Sequence, residues 1–327
     1  MKQTNSNLQR TKALALVLST LGLMLPLCPS ALAGAKKTYF TIVENPVGVP
    51  SMGEMFTDGQ QMFILGAESS YEETATDPRL TGLKVITYDA VFDPTDFTGR
   101  MWGRSHKQHP DGAWDGYWTG TRTAFTDPHG TSHVRSTITS LAVGSGAFKG
   151  LVVRWDITAV DAAPGTPMTG SGYLIEAKGG PGERPMQSRS EGTERVEVHL
   201  GMFLPLPPPP EPPVFGALVT REILNEVAQV SHLGRSANQG GGLLNPLTGE
   251  VSGAGALTSA NGDRLYWVAT GWSLGPSGPV DLTLHWVGGT GRFEAAVGEI
   301  SGILDLDATG DPSLLDLSLN AQGTIRY

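Results

Sequence analysis

Alternation of apolar and polar residues runs through much of this chain and restricts it to β structure. The stretches LVVRWDIT (151–158), VDLTLHWV (280–287) and LLDLSLN (314–320) each place apolar side chains at every second position. A period of two residues is typical of a strand with one buried face. One segment, VTREILNEVAQV (219–230), fits an amphipathic helix as well as a strand. The pattern predicts an all-β protein.

Turn signals separate these runs at short intervals. They include PDGAWDG (110–116), DPHG (127–130) and ANGD (260–263). Short strands punctuated by Gly, Pro, Asn and Asp are typical of antiparallel sandwiches and barrels. No helical window is long enough to carry a parallel crossover, so we expect the sheet to be antiparallel.

The first 33 residues have the layout of a secretory signal peptide. Three basic residues lie in MKQTNSNLQRTK, an apolar run ALALVLSTLGLMLPL follows, and a small-x-small site ends at Ala33. The apolar run is shorter than the ~20 residues that a membrane-spanning helix needs. We therefore expect a secreted or periplasmic protein without a membrane span, cleaved after Ala33. An uncleaved anchor is the alternative.

Composition excludes several classes of partner and of stabilising bond. The only cysteine, Cys28, lies in the predicted signal peptide, so the exported part would depend on an apolar core rather than on disulfides. The net charge is −9, and it becomes −12 once the three basic residues of the signal peptide are removed. Such an acidic chain is not expected to bind nucleic acid or anionic lipid.

A proline run predicts the domain boundary. LPLPPPPEPPV (204–214) holds seven prolines in eleven positions and is expected to form a stiff extended spacer. It would link an N-terminal domain (34–203) to a C-terminal domain (215–327). A proline-motif ligand for a signalling domain is the alternative interpretation of the run.

Each predicted domain carries a G-x-G-x-F stretch. These are GSGAFKGL (144–151) and GGTGRFEAAVG (288–298), with a Trp-containing strand upstream of each. A dinucleotide loop would require a helix after the glycines, but strand character returns instead. We therefore expect the glycines to form positive-φ corners and Phe148 and Phe293 to fill a barrel end beside them. The matched stretches predict two related domains.

The same residues carry a family resemblance. GGTGRFEAAVGEISG, together with ANGD (260–263) and HLGR (232–235), resembles the allene oxide cyclase and dirigent superfamily of barrels and its exported bacterial relatives of unknown role. The resemblance covers 214–327 and is looser over 60–200, where DPRLTG, WTGTRT and GSGAFKGL carry it. It implies two eight-stranded antiparallel barrels, each with an apolar cavity. The matching motif is structural, so it transfers no catalytic residue.

These observations favour an exported tandem β-barrel protein that binds a small apolar molecule or a cell-surface partner without catalysis. The alternative that the resemblance implies is a cofactor-free cyclase or isomerase acting on an apolar substrate in the barrel cavity. Polar cavity residues would steer that substrate, and Arg122, Arg154 and Asp156 are the candidates.

A third hypothesis rests on an aromatic cluster. Trp102, Trp114 and Trp118 lie close together in the sequence, near Asp111 and Asp115. Exposed indoles with neighbouring carboxylates would suit a carbohydrate-binding module, because sugars stack on aromatic faces. Burial in the core is the simpler explanation, and exposure of the three indoles decides between them.

One loop has calcium-like spacing. DLDATGDPSLLD (305–316) places oxygen-bearing side chains in the order of an EF-hand loop, with a glycine at the turn: Asp305, Asp307, Thr309, Asp311 and Asp316. The terminal Asp is shorter than the usual Glu, and both flanks have strand character. We favour a plain hairpin and keep calcium as the alternative; no other cofactor is expected.

Overall fold

The computed structural model describes residues 36–51, 53–161, 166–176, 183–205, 214–273, 275 and 279–327. The predicted signal peptide, residues 1–33, therefore lies outside the described residues. For the described residues, the all-β prediction is confirmed. The ambiguous segment 219–230 is a strand. The strands are β1 Lys36–Ser51, β2 Glu54–Thr57, β3 Met62–Ala75, β4 Gly82–Phe92, β5 Gly99–His109, β6 Gly112–Thr126, β7 Ser132–Gly146, β8 Leu151–Val160, β9 Met168–Glu176, β10 Arg184–Pro205, β11 Val214–Val230, β12 Gly234–Leu244, β13 Glu250–Ser259, β14 Arg264–Ser273, β15 Val280–Gly289, β16 Val297–Ala308 and β17 Leu314–Arg326.

Eight of these strands close into an antiparallel barrel, which we call the first circuit. Strands β3 to β9 pair each with the next, and β1 closes the ring by pairing with both β9 and β3. Closure leaves no free edge along this ring, which removes the usual route to edge-to-edge aggregation. The predicted antiparallel barrel is confirmed here.

The remaining long strands form a second circuit of hydrogen-bonded pairs. Strands β10 to β17 pair each with the next, and β17 pairs back with β10. The short β2 pairs with β3 of the first circuit and with the end of β10, so it joins the two circuits.

The proline run does not separate the two circuits. Met202 pairs with Phe215 and Phe203 with Val214, so the strands on either side of the run are neighbours in the second circuit. The run lies between β10 and β11 in the chain, and β10, from Arg184 onward, pairs with β11 and β17 of the second circuit. Residues 206–213 themselves lie outside the described residues. Proline content predicts a break in strand pairing, but it carries no information on which strands pair around the break.

Apolar residues fill three places. One cluster lies inside the first circuit around Trp114 and Trp155, and a second lies inside the second circuit around Trp267 and Trp286. A third cluster lies between the circuits and combines side chains from both, namely Phe56, Phe63, Trp102, Leu141, Val152, Leu218, Leu243, Val268, Val287 and Val297. Alternate faces of the strands thus supply both the interiors of the circuits and the contact between the circuits.

The two G-x-G-x-F stretches occupy equivalent positions. Gly146 and Gly291, each two residues before the phenylalanine of its stretch, have φ of 62° and 57°. A Cβ at Gly146 would lie 2.8 Å from the backbone oxygen of Asp111, and one at Gly291 would clash with the carboxylate of Asp263. Phe148 is buried in the cluster of the first circuit and stacks on Trp114, and Phe293 is buried in the cluster of the second. The predicted positive-φ glycines and the burial of both phenylalanines are confirmed. Glycine is favoured at these positions because it adopts positive φ without strain.

Candidate functional site

The second circuit encloses a mostly apolar cavity. Its volume is about 70 Å³. This is smaller than the roughly 150 Å³ cavity that admits benzene. It therefore suits a ligand of a few heavy atoms, or one end of a longer molecule. Its apolar walls are formed by Ile223, Val251, Trp267, Ala269, Leu282, Leu284, Leu304, Leu317 and Leu319.

A chain of hydrogen bonds borders this cavity. The Trp267 indole N–H donates to Asn238 Oδ1 at 2.9 Å, and Asn238 Nδ2 donates to Glu226 Oε2 at 2.9 Å. Two glycines on neighbouring strands make room for the indole, because a Cβ at Gly240 or Gly255 would lie 2.6 or 2.3 Å from its ring. The carboxyl group of Glu226 is thereby held in a defined orientation at the cavity wall.

Glu226 is an unusual acid. Only 5% of it is exposed, and burial raises its pKa above the ordinary value, although the nearby Ser190 hydroxyl and the hydrogen bond from Asn238 oppose the rise. Among the described residues no lysine, arginine or histidine forms an ion pair with it. A carboxyl group whose pKa is raised keeps its proton to a higher pH than usual, and while protonated it both donates and accepts hydrogen bonds.

A buried ion pair lies at the same cavity. Arg221 Nε donates to Glu194 Oε1 at 2.7 Å, and both side chains are buried. Burial raises the pKa of Glu194, and the guanidinium of Arg221 partly counters that rise. The cavity thus combines apolar walls with one ion pair and one carboxyl group. These polar side chains can hydrogen-bond to a single polar group on an otherwise apolar ligand.

The three predicted tryptophans are buried. Trp102, Trp114 and Trp118 are 3%, 1% and 4% exposed. Trp102 belongs to the cluster between the circuits, while Trp114 lies inside the first circuit and donates its N–H to the carbonyl oxygen of Arg79 at 2.9 Å. The exposed stacking platform that a carbohydrate-binding module requires is therefore not formed by these indoles. Period-two strands place large aromatic side chains in cores, which explains the difference.

The three predicted polar residues do not line one cavity among those described: Arg154 and Asp156 form an ion pair at 3.5 Å, and Arg122 is not part of it. Arg122 lies over the ring of Phe92 in the first circuit. Arg154 lies on the face of β8 opposite to Val153 and Trp155, which point into the first circuit. It donates to the backbone oxygens of Gly289 and Glu294 at 2.8 and 3.1 Å, across the contact between the circuits. Asp156 accepts a bond from a neighbouring threonine and is half exposed. The sequence could not predict these positions, because alternation assigns each side chain to one face of its strand but does not show which other strand or loop that face contacts.

The acidic loop 305–316 is a β-hairpin. Asp305 and Asp307 are exposed at the end of β16, and Asp307 is opposite Asp316 on β17. The Asp311 carboxylate accepts the backbone N–H and the hydroxyl of Ser313 at 2.9 and 2.7 Å, so it is engaged in its own turn. Within the described ranges no group of three or more His, Cys, Asp or Glu residues is arranged to hold a metal ion.

Sequence reasoning missed a buried charge cluster inside the first circuit. Lys84 forms ion pairs with Glu44 and, at 2.5 Å, with Glu73, and Lys107 pairs with Glu73. Lys107 also donates to the carbonyl oxygen of Leu80 at 2.8 Å. A sequence signal was present: in YFTIVE, Glu44 continues the apolar positions Phe40 and Ile42 of β1, which placed a charge on the inward face.

The strand register explains this cluster. Glu44 is directly opposite Glu73 across the β1–β3 seam, and Lys84 is directly opposite Lys107 across β4–β5. Each pair alone would be repulsive. Burial raises the pKa of Glu44 to about 7, whereas Lys84 and Lys107 hold the pKa of Glu73 below its ordinary value despite its burial. The cluster is closely packed and no cavity among those described opens beside it.

Comparison with known proteins identifies no relative. No family model, no curated protein and no solved structure matches this chain. Within the part of the chain that the structure describes, no helix combines the length and apolarity needed to cross a membrane.

Proposed function

We propose that this protein is an exported double β-barrel that binds a small apolar ligand in the cavity of its second circuit. In this proposal the second circuit is a barrel domain of its own, repeated from the first, and the chain is a distant relative of the allene oxide cyclase and dirigent barrels. The signal-peptide pattern of 1–33, the paired G-x-G-x-F corners and the two closed circuits of strands support it.

The cavity is the observation that carries the proposal. Leucine, isoleucine, valine and tryptophan side chains form its walls, and the few polar groups lie together at Glu194, Arg221, Glu226 and Asn238. Apolar walls supply the free energy of transfer from water, and clustered polar groups orient a ligand that has one polar end. A ligand with a hydroxyl or carbonyl group at one end matches this division.

The test is binding of 2-butanone, measured by saturation-transfer NMR. We expect binding to the parent and loss of binding in Ala269→Leu, whose added carbons would occupy the cavity. Ala237→Leu is the matched control, because Ala237 is exposed on β12 and should leave binding unchanged. Equal saturation transfer in the two variants would place the ligand elsewhere and refute the proposal.

A second candidate function is isomerisation by proton transfer inside the same cavity. The raised pKa of the buried Glu226 favours it, because a carboxyl group that titrates closer to neutral pH can both accept and return a proton. Double-bond migration next to a carbonyl group is a reaction that such a single acid–base residue can perform without a cofactor.

Deuterium exchange tests this candidate separately from binding. In D₂O the parent should accelerate exchange of the hydrogens next to the carbonyl group of 2-butanone, as followed by proton NMR. Glu226→Gln should abolish the acceleration while retaining the saturation transfer, because glutamine keeps the shape but accepts no proton. Exchange that persists in Glu226→Gln would exclude Glu226 as the base.

A further inference from the structure

A hydrogen-bonded relay of three side chains crosses the outer face of the second circuit. Thr270 on β14 is 3.1 Å from Nε2 of His285 on β15, measured from its Oγ1. Nδ1 of the same imidazole is 3.1 Å from Oε2 of Glu299 on β16. When Nδ1 carries the proton directed at Glu299, Nε2 is free to accept the proton of the Thr270 hydroxyl.

The imidazole is held in place by the first circuit. Tyr117 on β6 stacks on His285 with a centroid separation of 4.1 Å and an interplanar angle of 11°. Only 13% of the His285 side chain is exposed, while Thr270 is exposed. Burial lowers the pKa of His285, although Glu299 opposes the shift, and this favours the neutral imidazole that a general base requires.

Thr270 lies where two depressions meet. One is a groove of about 640 Å³ between the circuits, lined on the first circuit by Trp102, Arg104 and Tyr117. The other, of about 500 Å³, follows the outer face of β14 to β16 and includes Trp272 and Ile303, whose exposures are 48% and 43%. A substrate can therefore extend on both sides of the Thr270 hydroxyl, with an apolar portion against Trp272 and Ile303.

A second relay in the same chain shows what a closed version looks like. His199 Nδ1 is 2.6 Å from Asp58 Oδ2, and its Nε2 is 2.8 Å from Thr220 Oγ1. That imidazole is 3% exposed and lies against Phe63, and Thr220 lines none of the pockets described above. The two relays have the same order of hydrogen-bonded groups, but only the Thr270 hydroxyl lies in a surface depression that a substrate can enter. A purely structural contact does not need such a depression.

We propose that Thr270, His285 and Glu299 form a hydrolytic site for carboxylic esters with an apolar acyl group. The Thr270 oxygen attacks the ester carbonyl carbon while His285 Nε2 takes the hydroxyl proton. The carbon–oxygen bond to the alcohol then breaks, and the alcohol leaves with that proton. Water attacks the acyl-threonine with the help of His285, which releases the acid and restores the hydroxyl group. Glu299 is a positioning residue that orients the imidazole and stabilises its protonated form.

The test uses the purified full chain with p-nitrophenyl acetate and p-nitrophenyl butyrate, together with a fluorophosphonate probe mapped by mass spectrometry. Thr270→Ala and His285→Gln should each lower ester hydrolysis by roughly tenfold or more. Thr270→Ser should keep both hydrolysis and labelling at position 270, because it restores a hydroxyl group. Glu299→Gln should lower kcat with little change in KM, and Glu299→Asp should recover part of it.

Thr220→Ala is the matched control. It removes the hydroxyl group that contacts His199 in the buried relay, and it should leave the rate of ester hydrolysis equal to that of the parent. The proposal is overturned if Thr270→Ala hydrolyses both esters as fast as Thr220→Ala does. It is equally overturned if the parent neither exceeds the buffer rate nor carries the probe at Thr270. Circular dichroism of Thr270→Ala and Thr270→Ser distinguishes a lost nucleophile from a lost fold.

Discussion

The interiors of the two circuits contain buried charges of different kinds. In the first, two lysines and two glutamates form a cluster in which each carboxylate contacts a lysine, and the surrounding side chains pack closely. In the second, Glu226 contacts an amide instead of a cation and borders a cavity. Buried charges that pair with each other contribute to the packing of the barrel. A carboxyl group that has no cation as a partner and borders a cavity is available to bind a ligand.

The largest expected effect comes from breaking the balanced cluster. Lys84→Met would leave Glu44 and Glu73 directly opposite each other in the interior without their shared cation. Removing one partner of a buried pair costs about 3–5 kcal/mol of unfolding free energy. Urea unfolding at pH 7 measures it. Arg189→Met, in an exposed ion pair with Glu191, should cost less than about 1 kcal/mol. A similar loss in both variants would mean that the cluster is solvated.

A pH profile sharpens the comparison next. The pKa of Glu44 is raised to about 7 by burial, so its contribution to stability is present below about pH 4.5 and is lost as the pH rises through 7. Glu73 acts in the opposite sense at lower pH, because its pKa is lowered. Glu44→Gln should therefore remove a decline in unfolding free energy between pH 4.5 and 7. Parallel profiles for parent and variant would contradict the assignment.

A pair of matched substitutions gives the smallest effects and tests the difference in packing directly. Ala142→Val adds two methyl groups to the packed interior of the first circuit and should cost about 1–3 kcal/mol. Ala269→Val adds the same groups at the cavity of the second circuit and should be neutral or stabilise by up to about 1 kcal/mol. Thermal unfolding of the two variants measures both. Equal destabilisation would show that the second interior is as closely filled as the first.

Local pattern predicted the type of structure well and the function poorly. Alternation in 151–158 assigned Val153, Trp155 and Ile157 to a buried face, and the structure buries all three. The same alternation could not place Arg154, which lies on the other face and binds backbone oxygens about 135 positions further along the chain. Whether a side chain points inward or outward can be predicted from its own strand alone. A functional site, in contrast, depends on which strands lie next to each other.

The proline run and the tryptophan cluster were hard to interpret for related reasons. The strands β10 and β11 on either side of the run pair with each other, and only the register reveals this. Trp102 and Trp118 are close in sequence, but one lies between the circuits and the other inside the first. Sequence proximity on strands separates neighbouring side chains onto opposite faces as often as it unites them.

The sequence by itself determined the all-β class, the antiparallel strands and the glycine corners with their aromatic plugs, because each depends on a short window of residues. Tertiary structure alone decided that Glu44, Glu73, Lys84 and Lys107 share one interior, that Glu226 borders a cavity, and that Thr270, His285 and Glu299 align across three strands. These arrangements require ring closure and register, which are set by long-range pairing between distant segments.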